Sequence, residues 1–217
     1  MELRVKPVVD FMLPIWIEAE ANALLRQYGE TLSEPLVPPI KVEFIAEDLL
    51  GFSLTSDEFS ETEALAYIDP NEMVICINLA RSGYFDHVGF DFTWAHEIGH
   101  YLLNHFVEIG EQLPLWLQDQ PKKLIHRENV REGEKYFWHE YQANKFAAYL
   151  MMPKWLLCPA IQRFNLRQWS SIYELAKYFN VSVTAMSRRL QELGLVFVSG
   201  KTLYGSEEEA TGQLPLF

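Results

Sequence analysis

The stretch FTWAHEIGHYLLNH, Phe92–His105, decides how this chain is read. At its centre stands His96-Glu97-Ile98-Gly99-His100. On a helix, residues four apart lie one turn along the same face, so His96 and His100 can present two imidazoles to one metal ion. Glu97 sits about a hundred degrees further round. From there it can reach a metal-bound water without ligating the metal, which is the position of a general base. A catalytic zinc normally takes three protein ligands and a water. Two histidines therefore leave one ligand to be found elsewhere.

By residue type the candidates are His105, His126, His139 and Glu140. His105 follows His100 by five residues, which turns it away from the metal-facing side of a helix. His126 lies in a segment of poor periodicity. His139 and Glu140 adjoin on one later helix, so only one of them faces the metal. Along HEYQANKFAAYLMMP, Glu140, Ala143, Asn144, Ala147 and Met151 form one stripe. Its alanines let the two helices approach closely. The stripe selects Glu140 as third ligand and leaves His139 near the rim.

The rest of the chain supplies a body for such a site. Its 217 residues are 49% hydrophobic, enough for one compact body and a small appended module. Pro14 to Gly29 reads as a helix, SEPLVPP as a linker, and Lys41–Leu50 as a short amphipathic helix closed by Gly51. Strands are expected over Phe52–Phe59, Ala64–Ile68 and Met73–Asn78, the last two pairing across the turn Asp69-Pro70-Asn71-Glu72. Helices are expected over Phe92–Phe106 and Glu134–Met152, with Pro153 as the stop. Residues 107–134, with two prolines and scattered charge, read as an insertion or flexible excursion.

Only Cys76 and Cys158 are present, without CxxC spacing, which suits a reducing compartment. The N-terminus lacks the pattern of a signal peptide, and no apolar run reaches membrane-spanning length. These features predict a soluble cytoplasmic protein with no membrane partner. The net charge is −12, yet residues 161–201 carry six basic and two acidic side chains. The acidity therefore sits in the body, where it argues against nonspecific nucleic-acid binding and suits a basic protein partner.

FTWAHEIGHYLLNH followed by ExxANKFAAYLMMP resembles the ImmA/IrrE family of metallo-endopeptidases. PPIKVEFIAEDLLGFSL looks like the family's N-terminal helix, YIDPNEMVICIN like its hairpin, and LAKYFNVSVTAMSRRLQELGLV like its C-terminal helical element. The resemblance implies His96, His100 and Glu140 as ligands of one Zn2+ ion and Glu97 as catalytic base. It also implies cleavage of a DNA-binding repressor of a phage, mobile element or stress response. Asp91 stands where the family usually has a basic residue, and the interval between the two motifs is longer than usual. For oxyanion or substrate contacts, Tyr101, His126, His139 and Tyr141 are candidates by type.

IYELAKYFNVSVTAMSRRLQELGLV has a helix-turn-helix cadence. Asn180 ends one helix, Ser182 caps the next, and LVFVSGKTLYG suits a small wing. Lys177, Arg188 and Arg189 offer phosphate contacts and Ser182 or Thr184 base contacts. With so few basic residues, packing or protein binding is preferred over DNA binding. The terminal GQLPLF resembles the QLxLF peptide that docks on bacterial sliding clamps, with Gln213, Leu214, Leu216 and Phe217 as anchors.

The expected fold is α+β. A small mixed or antiparallel sheet packs on the HExxH helix and a second ligand helix, as in a minimal gluzincin-like metalloprotease, with a small helix-turn-helix-like C-terminal module. The expected divisions are a catalytic domain over 1–158, a winged-helix-like module over 159–205 and an acidic tail over 206–217. The expected function is zinc-dependent endopeptidase. The alternative is a catalytically idle DNA- or protein-binding module with a structural metal.

Overall fold

The computed structural model describes residues 12–59, 64–84, 89–105, 124–127 and 137–212. Their packing separates into two units, one from residues up to Leu32 together with Lys41–Leu150, the other from Ser33–Ile40 together with Met151 onward.

In the first unit, Pro14 opens α1 (Pro14–Thr31) at a position where its missing N–H costs nothing. Ile17, Ala21, Leu24, Leu25 and Tyr28 recur at helical spacing and are the residues α1 buries. The expected regular helix over Lys41–Leu50 takes a different form. α2 (Val42–Phe44) passes into a π-helical turn, Ile45–Leu49, and Gly51 ends it at a φ of 79°. Phe52 N–H then donates to Ala46 O at 2.9 Å, which delivers the chain into the sheet.

Four strands, β1 (Ser53–Asp57), β2 (Ala64–Asp69), β3 (Val74–Asn78) and β4 (Leu124–Arg127), form one mixed sheet in the order β1-β3-β2-β4. β2 and β3 pair antiparallel across the expected turn. There the Asp69 carboxylate accepts the N–H groups of Asn71 and Glu72 at 3.0 and 3.2 Å, an Asx turn of the kind this composition favours. β1 runs parallel to β3, and β4 antiparallel to β2. The reading of 107–134 as an insertion or flexible excursion thus gains a structured piece. Its residues Leu124–Arg127 are a sheet strand, with His126 opposite Ala66. The four-residue strand is too short to show alternation in sequence, and its pairing comes from β2 far away in the chain.

Helix α3 (Gly89–Leu102) packs on β2 and β3, and carries His96, Glu97 and His100. Helix α4 (Phe137–Met151) carries Glu140. The two helices come close at Gly99. A Cβ built there would lie 3.1 Å from Phe146 Cβ and 3.2 Å from Ala143 Cα. Ala143 and Ala147 are fully buried, so small residues face this contact from α4 as well. Gly99→Ala is therefore expected to push α4 away. Overpacking costs about 1–3 kcal/mol, offset by roughly 1 kcal/mol of helix propensity. The net expectation is a loss of about 1 kcal/mol in denaturant unfolding, together with weaker metal binding because Glu140 moves with α4. An unchanged midpoint with unchanged metal affinity would refute the close-approach role.

The second unit contains α5 (Lys154–Ile161), α6 (Trp169–Phe179), α7 (Val183–Glu192), the hairpin β5 (Phe197–Ser199) and β6 (Thr202–Tyr204), and α8 (Glu207–Thr211). Leu157, Ile172, Leu175, Phe179, Met186 and Leu190 are its buried centre. Asn180 ends α6 in the left-handed conformation, φ 54° and ψ 48°. The Ser182 hydroxyl accepts Ala185 N–H at 3.1 Å and caps α7. Two expectations are corrected here and a third gains detail. The division expected at residue 158 falls inside α5, a helix that the pair Pro153 and Pro159 concealed in the sequence. Residues 207–211 of the expected tail are helical, tied by Arg167 to Glu209 at 2.8 Å. Arg189, a suggested phosphate contact, is 2% exposed, donates from Nε to Met152 O at 3.2 Å and pairs with Glu192 at 3.6 Å. It holds the unit together from inside.

Among the described residues, no helix is long and apolar enough to cross a membrane. Cys76 is buried in β3 and Cys158 half-buried in α5, and both are free thiols.

Candidate metal centre

His96 and His100, one turn apart on α3, turn their Nε2 atoms toward each other at 3.0 Å. From α4, Glu140 places one carboxylate oxygen 3.1 Å from His96 Nε2 and the other 3.6 Å from His100 Nε2. The three side chains form a group able to hold a metal ion. Four ligands at about 2.0–2.1 Å around a tetrahedral zinc lie roughly 3.3–3.4 Å from one another. The observed spacings straddle that value, so a small cation fits without rearrangement.

The far ring nitrogens sharpen the fit. His96 Nδ1–H donates to Asn144 Oδ1 at 3.1 Å, which leaves Nε2 with its lone pair directed inward. The donor set of two imidazole nitrogens and a carboxylate is that of a zinc-type centre. Hydrogen bonds to the outer nitrogen of a ligating histidine are a regular part of such sites.

Burial shapes the electrostatics. His96, Glu97 and His100 are fully buried, and Glu140, at 9% exposed, is the one of these four with any surface. Burial, the neighbouring Glu140 carboxylate adding to it, pushes Glu97 well above the ordinary carboxylate range. Burial also pushes His100 down to about 4, with Glu140 acting in the opposite direction. Burial alone would raise Glu140, but the facing imidazoles of His100 and His96 outweigh it and hold the carboxyl well below its usual range.

A stability prediction follows for the metal-free protein. Below pH 4.5 Glu97 is protonated in both folded and unfolded chains, and its contribution is fully present. As pH rises above 4.5 the unfolded chain ionises while the folded one keeps its proton, so stability is lost up to the raised folded value. Glu97→Gln removes that loss. The chelated variant is expected to exceed wild type in urea unfolding at pH 7, with the gap closing toward pH 4.5. A gap independent of pH would contradict the burial of an ionisable Glu97.

The remaining expected site residues are placed as follows. His139, read as lying near the rim, is buried and stacks nearly parallel on His105, with ring centroids 4.5 Å apart and planes at 19°. The correction has a simple cause, since the His105 ring lies flat against that of His139. Tyr101 is half-buried and packs edge-on against Phe52 at 5.0 Å. Tyr141, also half-buried, has its ring beside Trp138 at 5.8 Å and under Lys145 Nζ at 5.7 Å. His126 has its backbone in β4. Gln213, Leu214, Leu216 and Phe217 lie outside the described residues. Asn144, His105 and Gln142 escaped the sequence reading as partners of the site. The one sequence signal for them was the position of Asn144 on the same alanine stripe as Glu140.

The chain spans a little under half, 46%, of a solved structure described as a Mycobacterium tuberculosis transcriptional regulator, which covers 80% of this chain at 16% identity and a TM-score of 0.52. That likeness is one of fold. No curated protein gives a match. The family model of the IrrE N-terminal-like domain, a peptidase domain, matches residues 60–191, which include both α3 and α4. A match over that much of the chain makes it a member of the IrrE N-terminal-like peptidase family, the ImmA/IrrE group that its two helical motifs resemble.

Proposed function

We propose that the protein is a zinc-dependent endopeptidase that hydrolyses a peptide bond in a regulatory protein, a DNA-binding repressor of a phage, mobile element or stress response. One observation carries the reading: two imidazoles and a carboxylate from two helices converge beside a buried glutamate that is not needed as a ligand. His96, His100 and Glu140 would hold the ion. Zinc, when bound, supplies Lewis acidity that acidifies a water and polarises a carbonyl. Glu97 takes the water proton as general base and passes it to the leaving amine. Its burial supports this role, because a carboxylate raised well above its ordinary range is a stronger base than a solvent-exposed one. The net charge of −12 favours encounter with a basic partner, as DNA-binding proteins usually are.

The test is a cleavage assay on candidate DNA-binding repressors, using zinc-loaded, chelated and zinc-restored protein. Cleavage should vanish on chelation and return with zinc. Undiminished cleavage after complete metal removal would end this reading.

The complete burial of His96, Glu97 and His100 favours a second reading, a regulatory module in which the metal is structural. The neighbour described as a transcriptional regulator is compatible with it. In that case chelation unfolds the first unit and no substrate is cut at any zinc level. For the terminal peptide, docking on a sliding clamp is a proposal from sequence alone. Deleting Gln213–Phe217 should abolish clamp capture, and unchanged capture would dismiss it.

A further inference from the structure

At the ring nitrogen of His100 opposite the proposed metal lies a pair of side chains that the proposed chemistry does not use. α3 ends at Leu102, and Asn104 adopts a left-handed φ of 63°. That residue turns the chain back, so His105 comes behind His100 where a continued helix would carry it away. His105 Nδ1 stands 2.8 Å from His100 Nδ1, and His105 Nε2 stands 3.1 Å from Gln142 Oε1. His105 and Gln142 are buried, at 3% and 1% exposed.

The proton order follows from valence. An amide oxygen only accepts, so His105 Nε2–H donates to Gln142. A neutral imidazole carries one N–H, so His105 Nδ1 is bare and accepts His100 Nδ1–H. The remaining nitrogen of His100, Nε2, then keeps its lone pair, and it is the atom that faces His96 Nε2 and Glu140. The reverse order would put the proton on His100 Nε2 and remove a ligand. The parallel stack of His139 on His105 holds the relaying ring in plane.

We infer that Gln142 and His105 are positioning residues that set the tautomer of His100 and so ready it to bind the metal. The inference rests on the reading of His96, His100 and Glu140 as a metal site. It also separates His105 from a plain packing role, because the two roles rank substitutions in opposite orders. His105→Phe keeps the ring and its stack on His139 but removes the acceptor. His105→Asn loses the ring but keeps an amide oxygen near the place of Nδ1.

The experiment measures zinc affinity by competition with a chromophoric chelator, with folding checked by circular dichroism. His105→Phe is expected to bind zinc about 10–100-fold more weakly than wild type, the usual effect of losing an outer hydrogen bond to a ligating histidine. His105→Asn should bind more tightly than His105→Phe, and Gln142→Glu more tightly than Gln142→Leu. The reversed ranking at His105 would overturn the inference in favour of packing. Long-range 1H–15N correlation on zinc-loaded wild type provides a reading that needs no variant. It should show His105 protonated at Nε2 and His100 at Nδ1, and His105 protonated at Nδ1 would also overturn the inference. If wild type takes up no zinc, the metal-site reading fails together with the relay. Zinc uptake with the wrong tautomer sinks the relay alone.

Discussion

Glu97→Gln is expected to keep its full complement of zinc and to lose peptide-bond hydrolysis by roughly 10²–10⁴-fold, the range that a general base contributes. The substitution is nearly isosteric in a fully buried position, so packing around α3 is preserved. It removes no donor from the group formed by His96, His100 and Glu140. What it removes is the only group proposed to accept the water proton. Elemental analysis and a cleavage time course on the same preparation check both halves. Cleavage equal to wild type would sink the assignment of Glu97 as base. The pH-dependent stabilisation expected for the metal-free variant guards against confusing lost chemistry with unfolding.

The second large effect belongs to Glu140→Ala. The substitution deletes the one anionic donor, and with it the carboxylate that spans both imidazole nitrogens at 3.1 and 3.6 Å. Losing an outer-shell partner alone commonly costs 10–100-fold in metal affinity. Loss of an inner donor is expected to exceed that, leaving little zinc after dialysis against a weak chelator. His139→Ala is the control. Its ring stacks on His105 and lies outside the donor group, so its loss of metal should be smaller. Zinc content in Glu140→Ala equal to wild type would remove Glu140 from the proposed ligand set.

The parts of the fold that sequence makes legible are those decided within one or two turns of chain. The Asp69 turn, the left-handed Asn180 and the Ser182 cap each depend on hydrogen bonds to residues two to four positions away. The pairing of His96 with His100 is likewise a property of one helix. The approach of α4 could be anticipated because alanines on a stripe have a packing meaning wherever they occur. What stayed hidden depends on partners chosen by the fold. The Arg189–Met152 and His105–Gln142 hydrogen bonds each join residues 37 positions apart. Arg189 shares the helix face of buried Met186 and Leu190 while Arg188 is exposed, but the distant carbonyl of Met152 that receives its Nε–H is written in no local pattern. For the candidate site, type and spacing were readable, whereas the tautomer of each histidine was not. The tautomer depends on which neighbour meets the outer nitrogen, and that neighbour comes from another helix or from beyond a left-handed turn.

The membership of Ser33–Ile40 in the second unit has a consequence for synthesis. The chain leaves the first unit at Leu32, lends eight residues to the second, and returns at Lys41. During translation those eight residues emerge early, yet their companions begin only at Met151. At about 5–20 residues per second the segment waits roughly 5–20 s before it can settle. Val37 and Pro38 line a cavity of about 230 Å³ with Leu156, Pro159 and Phe164, so until then this apolar lining lacks most of its walls. Nascent chains stalled before and after residue 151 should therefore differ in protease susceptibility at 33–40, with protection gained only once the later helices have left the ribosome.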